Sequence, residues 1–258
     1  MPDEPISVPD GGAGEQKWIA NYDGRFKGWI PIREALAESR NAVAIWITNE
    51  IGIDAVLQVS RRLGVQTRLH RYLVTALGAS EVNLLELATA YRTMASGVLA
   101  EPYVIRQIVR RSGDVLPGRR GSPAHVFDEG SLALIQEGLR GVVRLPTGTA
   151  HALDVRGFPI AVMGKTGTTN EFRDALFVGS TYGMDGITVA VRIGFDDNRS
   201  LGPRETGGRV ALPVFQEVML KAYRDGLVGP APVFPEPMER RITHYLAGDA
   251  PATDGVDR

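Results

Sequence analysis

The spacing of apolar residues divides the chain into a helical part and a later part built from strands. Apolar residues recur at intervals of three and four in five segments, and each of these predicts an amphipathic helix. These segments are 31–39, 42–52, 54–63, 83–96 and 128–143. After Gly157 the apolar period shortens to two, most regularly in "ITVAVRIGF", and strands are predicted there. The predicted strands are 158–169, 175–182 and 187–195, and a last helix begins near Pro213.

Short turns join the predicted strands, so they are expected to be antiparallel neighbours. Helices followed by such a meander predict an α+β fold, in which an antiparallel sheet packs against a helical lobe. Three segments are predicted along the chain. Residues 1–28, rich in Gly, Pro and Asp, are expected to be irregular, 29–225 form the folded domain, and 226–258 form a proline-rich, flexible tail.

Composition narrows the function classes. With 258 residues and a formal net charge of -1, the chain gives no general reason to expect nucleic acid or an anionic membrane as partner. It has no cysteine, which excludes disulfides and thiolate metal sites, and its four histidines lack metal-ligand spacing, so no metal or cofactor is expected. No apolar run approaches the ~20 residues of a membrane span, and the start "MPDEPISVPD" has no signal-peptide character.

The segment "VMGKTGTTNEFRDALFVG" has two chemical interpretations. A phosphate-binding loop needs G-x-x-x-x-G-K-[ST] followed by a helix, because backbone N–H groups and the helix N-terminus cradle the phosphate. Five residues before Gly164, however, stands Pro159, which has no N–H to offer, and the segment continues into a predicted strand. The alternative places Lys165, Thr166, Gly167 and Thr168 at a sheet edge, where a cation and hydroxyls can hold a carboxylate.

A second polar cluster interrupts the helical part. Ser39-Arg40-Asn41 lies at the junction of two predicted helices, where a hydroxyl and an amide can project into a cleft, although Ser and Asn are also ordinary helix caps. K-T-G is one of the motifs of serine β-lactamases and penicillin-binding proteins. Either cluster alone is weak evidence, but their order and their contexts point together to acyl transfer.

Several longer segments carry a resemblance to a known family. They are "NYDGRFKGWIPIREALAESRNAVA", "NLLELATAYRTMASG", "EPYVIRQI", "PTGTA", "GKTGTTNEFRDALFVG" and "VAVRIGFDDNRSLGPRETGGRVALPVF". Together they run from about residue 20 to residue 220. The chain resembles the C-terminal part of the transpeptidase domain of class A penicillin-binding proteins, within the serine β-lactamase and D,D-peptidase superfamily.

The resemblance implies a mechanism and a set of site residues. A serine acyl-enzyme would cross-link peptidoglycan stem peptides, and β-lactam antibiotics would trap the same serine. Ser39 would relay a proton, Asn41 would hold the substrate amide and Lys165 would give electrostatic support. Thr166, Gly167 and Thr168 would bind the substrate and its carboxylate. The parent protein would act at the extracytoplasmic (periplasmic) face of the bacterial cytoplasmic membrane, held by an N-terminal anchor that this chain lacks.

The sequence departs from the family at the nucleophile. In the family a serine lies three residues before its base lysine, but the residues three before the four lysines are Gly14, Gly24, Val162 and Val218. The domain is therefore expected to be truncated at its N-terminus and inactive alone. The alternative is a non-catalytic relative that binds peptidoglycan peptides or regulates a partner. Truncation would also expose the edge of "ITVAVRIGF", so low solubility or marginal stability is expected.

Overall fold

The chain forms an α+β structure with one central three-stranded sheet. The computed structural model describes residues 1–9, 16–117 and 121–249. The strands are β1 (Pro2–Asp3), β2 (Ile6–Pro9), β3 (Gln16–Ile19), β4 (Gly28–Trp29), β5 (Val98–Leu99), β6 (Gln107–Val109), β7 (Val115–Pro117), β8 (Ala124–His125), β9 (Met163–Thr168), β10 (Asp174–Ser180) and β11 (Thr188–Gly194). The helices are α1 (Ile32–Ala37), α2 (Asn41–Ile51), α3 (Ile53–Arg62), α4 (Leu84–Ser96), α5 (Glu129–Arg144), α6 (Ala152–Val155), α7 (Leu212–Arg224) and α8 (Glu236–Ala247). The predicted α+β class is confirmed.

The central sheet is an antiparallel meander in the order β11-β10-β9. In its register Val178 of β10 lies opposite Lys165 on one side and opposite Ala190 on the other. The first strand is shorter than the predicted 158–169: it begins at Met163, and Ile160 and Val162 enter the core from irregular backbone. Among the described residues β11 pairs only with β10, so the expectation of a solubility problem at its outer edge stays a prediction.

Two apolar clusters hold helices to the sheet. One joins α5 and α7 to the sheet, and in it Phe177 meets Phe215 edge to face with ring centroids 4.7 Å apart. The other brings Leu139 of α5 and Met163 of β9 against Met238 and Ile242 of α8. Strand β9 is therefore fixed by packed helices.

The terminal segments are more ordered than the sequence predicts. The expectation of an irregular segment over 1–28 is wrong for the described part, because β2 and β3 form an antiparallel pair that buries Val8 and Ile19 against Ile45 of α2. The remaining residues of that segment, 10–15, lie outside the described residues. These apolar contacts give the segment a small core of its own.

The expectation of a flexible tail over 226–258 is wrong for 236–247, which form α8. Met238 and Ile242 are one turn apart and both buried, and Pro237 occupies the first turn, where a missing N–H is harmless. The side chain of Arg140 donates to Glu239 at 2.6 Å and ties α8 to α5. Residues 250–258 of the predicted tail lie outside the described residues. The boundaries of the central domain, 29–225, stay a prediction.

The helix predicted over 83–96 is confirmed as α4. The side chain of Asn83 accepts a hydrogen bond from the backbone N–H of Glu86, and Gly97 ends the helix with a φ of 75°. Within the described ranges no single helix is long and apolar enough to cross a membrane. Among these described helices, one pair, α2 and α3, bent by 97°, reaches that length and composition when the two are taken together.

Candidate functional site

Ser39 lies at the sharp junction between α1 and α2. Its φ of 59° is in the left-handed region, which an L-residue rarely adopts, and its N–H donates to the carbonyl of Leu36 at 3.2 Å. Strained backbone of this kind persists only where surrounding contacts hold it. Ser39 is exposed and lines a cavity of about 260 Å³ together with Lys27, Glu38 and Thr147. The junction thus presents a hydroxyl to a concave surface.

A buried ion pair holds this junction. The guanidinium of Arg40 lies 2.7 Å from the carboxylate of Asp3, whose side chain is fully buried and also accepts from the side chain of Asn21. Asp23 accepts from Arg40 at 3.0 Å. Burial acts to lower the pKa of Arg40, but its hydrogen bonds to Asp3 and Asp23 outweigh burial and raise it. This network was missed from the sequence, since nothing local connects residues 3, 21 and 40.

Asn41 begins α2, immediately after Arg40. Its side-chain nitrogen donates to the carbonyl of Ala20 at 2.9 Å, so that nitrogen is engaged in holding the loop that precedes α1. Its side-chain oxygen keeps its capacity to accept a hydrogen bond. Asn41 is half-buried, and its neighbours Ser39 and Arg40 line the cavity while Asn41 itself does not.

The Gly-Lys-Thr segment lies in strand β9, at one edge of the sheet. The segment is followed by a single 3-10 turn, Asn170–Phe172, and then by strand β10. A phosphate loop would instead be followed by a long helix. The phosphate-loop interpretation therefore finds no geometric support here.

Lys165 is a partly buried cation in strand β9. Its Nζ donates to the carbonyl of Thr166 at 3.3 Å, and within the described part of the chain no carboxylate lies within 4.0 Å of it. Burial lowers the pKa of Lys165 to about 8, because the charged form loses hydration and gains no partner. The ammonium is therefore still mostly protonated at neutral pH and suited to an incoming anion.

The two threonines of the segment are oriented by neighbouring loops. The hydroxyl of Thr166 donates to the hydroxyl of Thr149 at 2.7 Å, and the hydroxyl of Thr168 accepts from the N–H of Gly207 at 3.1 Å. Gly207 begins a π-type turn, Gly207–Ala211, that leads into α7. Neither Thr149 nor Gly207 was identified from the sequence as a site residue, although "PTGTA" and "TGG" were the signals available.

The loop 147–149 connects the two motifs in space. The N–H of Thr149 donates to the carbonyl of Ala37, two residues before Ser39, while its hydroxyl accepts from Thr166, the neighbour of Lys165. Thr147 of the same loop lines the cavity at Ser39. In the described residues no hydrogen bond joins Ser39 or Asn41 directly to Lys165. The structure thus brings the two motifs to opposite sides of one loop.

Gly167 allows close packing at the sheet edge. A Cβ at this position would lie 3.3 Å from the Cβ of Leu176, tighter than ordinary contact, and the carbonyl of Gly167 faces the turn at Gly207. Thr168 is exposed, while Thr166 is half-buried. Strand β9 therefore carries a cation and hydroxyls at one edge of the sheet, and these groups can hold a carboxylate.

Comparison with known proteins decides the family. A model of the penicillin-binding protein transpeptidase domain matches residues 1–220. The chain belongs to the penicillin-binding protein transpeptidase domain family. It is similar to penicillin-binding protein 1A of Aquifex aeolicus, with 37% identity over 207 residues that cover 79% of this chain and 27% of the relative. It is also similar to penicillin-binding protein 1A of Neisseria gonorrhoeae, with 34% identity over 98% of this chain and 32% of the relative.

Solved transpeptidase structures share this fold. Penicillin-binding protein 1A from Haemophilus influenzae superposes with a TM-score of 0.78 and 26% identity, covering 92% of this chain and 40% of that one. Penicillin-binding protein A from M. tuberculosis superposes with a TM-score of 0.67 at 19% identity, which shows the fold alone. The chain spans about a third of the length of its curated transpeptidase relatives. The family resemblance found in the sequence is confirmed.

Proposed function

We propose that this chain supplies the substrate groove of a D,D-transpeptidase domain that cross-links peptidoglycan stem peptides and binds β-lactams. Lys165 is the observation that supports this most, because its partly buried ammonium lies in the edge strand β9 and pairs with no carboxylate in the part of the chain that the structure describes. An extended peptide ending in a carboxylate matches that edge in shape and charge. The parent protein would then act where peptidoglycan lies, at the extracytoplasmic face of the cytoplasmic membrane.

Each site residue takes a role in this proposal. The Lys165 ammonium attracts the terminal carboxylate and the hydroxyl of Thr168 donates to it. The hydroxyl of Thr166 donates to it as well once its proton turns from Thr149 to the ligand. Gly167 lets the peptide backbone approach β9. Asn41 accepts from the substrate amide through its side-chain oxygen, and Ser39 relays a proton towards the leaving amine. In the reaction a serine oxygen bonds to the penultimate D-Ala carbonyl carbon, terminal D-Ala leaves with a proton, and an acceptor amine later releases the enzyme.

The nucleophile for that reaction is not provided by this sequence. None of its four lysines has a serine three residues before it, and Ala42 stands three residues after Ser39. A serine without an adjacent base is a poor nucleophile at neutral pH. We therefore infer that the chain alone binds the substrate terminus but forms no acyl-enzyme.

Peptide binding tests the groove directly. Acetyl-D-Ala-D-Ala is titrated into the 258-residue chain by ligand-observed NMR, and Lys165→Met is expected to weaken binding roughly 10-fold or more, because a charge-assisted hydrogen bond is lost. Lys221→Met, which removes an exposed lysine on α7, is the matched control and should change affinity less than about twofold. Equal affinity of the Lys165 variant and the wild type would refute the proposal that Lys165 binds the peptide carboxylate.

Penicillin labelling tests the missing nucleophile. Intact-mass spectrometry after incubation with benzylpenicillin should show no added mass on this chain. A stoichiometric adduct would contradict the inference, and peptide mapping would then identify the residue that reacts.

A further inference from the structure

Strands β6 and β7 form a two-stranded ribbon whose side chains face solvent, since every residue from 101 to 116 is exposed. Ile108 and Val109 of β6 are 53% and 58% exposed. Opposite them on β7, Leu116 and Val115 are 38% and 55% exposed. Among the described strands, β6 and β7 pair only with each other. A two-stranded ribbon is marginally stable in water, and a third strand would cover part of its apolar surface.

The turn at the end of the ribbon fixes which backbone groups point away from it. The N–H of Arg110 donates to the carbonyl of Asp114 at 2.9 Å, and Gly113 in the turn has a φ of 90°. Arg110 and Asp114 are therefore a hydrogen-bonded pair of the antiparallel ribbon. Because such pairs alternate with pairs that are not hydrogen-bonded, Ile108 and Leu116 form the next hydrogen-bonded pair.

The two outer edges of the ribbon differ. Gln107 and Val109 belong to the pairs that are not hydrogen-bonded, so their N–H and C=O groups point away from β7, along the outer edge of β6. On β7 the corresponding residues are Val115 and Pro117, and proline has no N–H to donate. Proline on an edge strand opposes further pairing. The edge of β6 is therefore the one suited to accept another strand.

Two exposed arginines, Arg106 and Arg110, flank that edge. In an extended chain they share a face with Ile108, because alternate residues point to the same side. If two copies of this chain paired β6 with β6 antiparallel about Ile108, Arg106 of each copy would lie opposite Arg110 of the other. Like charges in that arrangement repel, whereas acidic residues at the same places attract. The edge therefore favours an acidic strand over a second copy.

We propose that the outer edge of β6 is a docking site for an extended segment of a partner protein, which adds to the ribbon as a third strand. The segment carries acidic residues opposite Arg106 and Arg110 and an apolar residue opposite Ile108. Main-chain hydrogen bonds to Gln107 and Val109 supply affinity, and the side-chain pairs supply selectivity. This inference does not rest on the proposed function, because the ribbon is separate from the sheet that carries the Gly-Lys-Thr segment.

A pair of peptides tests the charge pattern. Acetyl-Thr-Glu-Thr-Val-Thr-Glu-Thr-amide has the proposed order of acidic and apolar residues, and the reversed probe has lysines in place of its glutamates. Dissociation constants are measured by NMR titration of the ¹⁵N-labelled 258-residue chain. The wild type should bind the acidic peptide roughly 5- to 30-fold more tightly, because two opposite-charge pairs replace two like-charge pairs.

Charge reversal on the chain provides the matched comparison. The double variant Arg106→Glu, Arg110→Glu should prefer the lysine peptide. The control double variant Lys221→Glu, Arg224→Glu reverses two exposed cations on α7 and should keep the wild-type preference within about twofold. Equal affinity of the wild type for the two peptides, or binding of neither, overturns the proposal.

Backbone changes distinguish strand addition from simple charge attraction. Val109→Pro removes an outward N–H and leaves the hydrogen bonds between β6 and β7, so it should weaken the acidic peptide roughly 5-fold or more, whereas Val109→Thr should stay within about twofold of the wild type. An acidic peptide with proline in place of its two inner threonines lacks the N–H groups that would pair with β6, and should bind the wild type as weakly. This peptide gives the same test on the unchanged chain.

Two further outcomes would contradict the docking site. Undiminished binding of the proline-containing peptide would mean that charge alone attracts the probe. A dimer of the chain that Val109→Pro dissociates in analytical ultracentrifugation would place a second copy on this edge.

Discussion

Gly207 offers a direct test of how the site is held together. A Cβ added there would lie 2.5 Å from the carbonyl oxygen of Gly167 and closer still to that of Leu176, whereas ordinary contact begins near 3.4 Å. Both obstacles are backbone atoms of paired strands, β9 and β10, which cannot rotate away as a side chain can. Gly207→Ala therefore requires the turn to move outwards by about 0.9 Å or more.

The expected cost has two parts. Overpacking in a tight site costs roughly 1–3 kcal/mol. Movement of the turn also breaks the hydrogen bond from the N–H of Gly207 to Thr168, worth about 1 kcal/mol. Together these give a loss of roughly 2–4 kcal/mol, which corresponds to a Tm lower by roughly 5–15 °C in a chain of this length.

Thermal unfolding followed by circular dichroism measures this loss. Gly229→Ala is the matched control, because that glycine is exposed and has no atom within 4 Å of an added Cβ, and its Tm should stay within about 2 °C of the wild type. The reasoning is refuted if Gly207→Ala also melts within that range. Such a result would mean that the turn is not pressed against the strands.

Three further perturbations test the charge and packing of the fold. Burial holds the pKa of Lys165 near 8 in the folded chain against about 10.4 when unfolded. Between these values the unfolded chain holds a proton that the folded chain has released, so the free energy of unfolding rises with pH. In urea titrations, the free energy of unfolding of the wild type, relative to that of Lys165→Met, should rise by up to about 3 kcal/mol from pH 7 to pH 10. The same difference between the two proteins at both pH values would contradict this. Ile242→Ala should lower the free energy of unfolding by about 2–5 kcal/mol, because Ile242 is buried in the core. A loss under about 0.5 kcal/mol would mean that α8 does not pack on the core and that the tail is flexible, as the sequence predicts. Asp3→Ala leaves the Arg40 charge buried without its main partner and should cost about 3–5 kcal/mol, while Asp54→Ala, in an exposed pair, should cost under about 1 kcal/mol in the same assay.

The elements that sequence reasoning found are those with a strong local signal. The cap at Asn83 and the alternation of "ITVAVRIGF" each depend on residues a few positions apart, and α4 and β11 formed where expected. Helix α8 contradicts the predicted flexible tail. Met238 and Ile242 carry its helical period, but the proline-rich composition around it favours a loose tail. Proline in a first helical turn is compatible with the helix that follows.

The sequence gives the residue types of the candidate site, whereas their spatial arrangement depends on the fold. The types and order of Ser39, Asn41 and Lys165 are sequence properties, and the longer segments around them carry the family resemblance. The contact of Thr149 with Thr166 and the contact of Gly207 with Thr168 cannot be predicted from the sequence. Those contacts link residues 17 to 39 positions apart.

The sequence by itself therefore determined the fold class, the family and the residue types of the site, since each depends on local periodicity or on short motifs. Only the tertiary structure decided that Asp3 secures Arg40 and that, among the described residues, no carboxylate pairs with Lys165. The physical reason is that burial, and with it the pKa of a buried cation, depends on which distant segments meet.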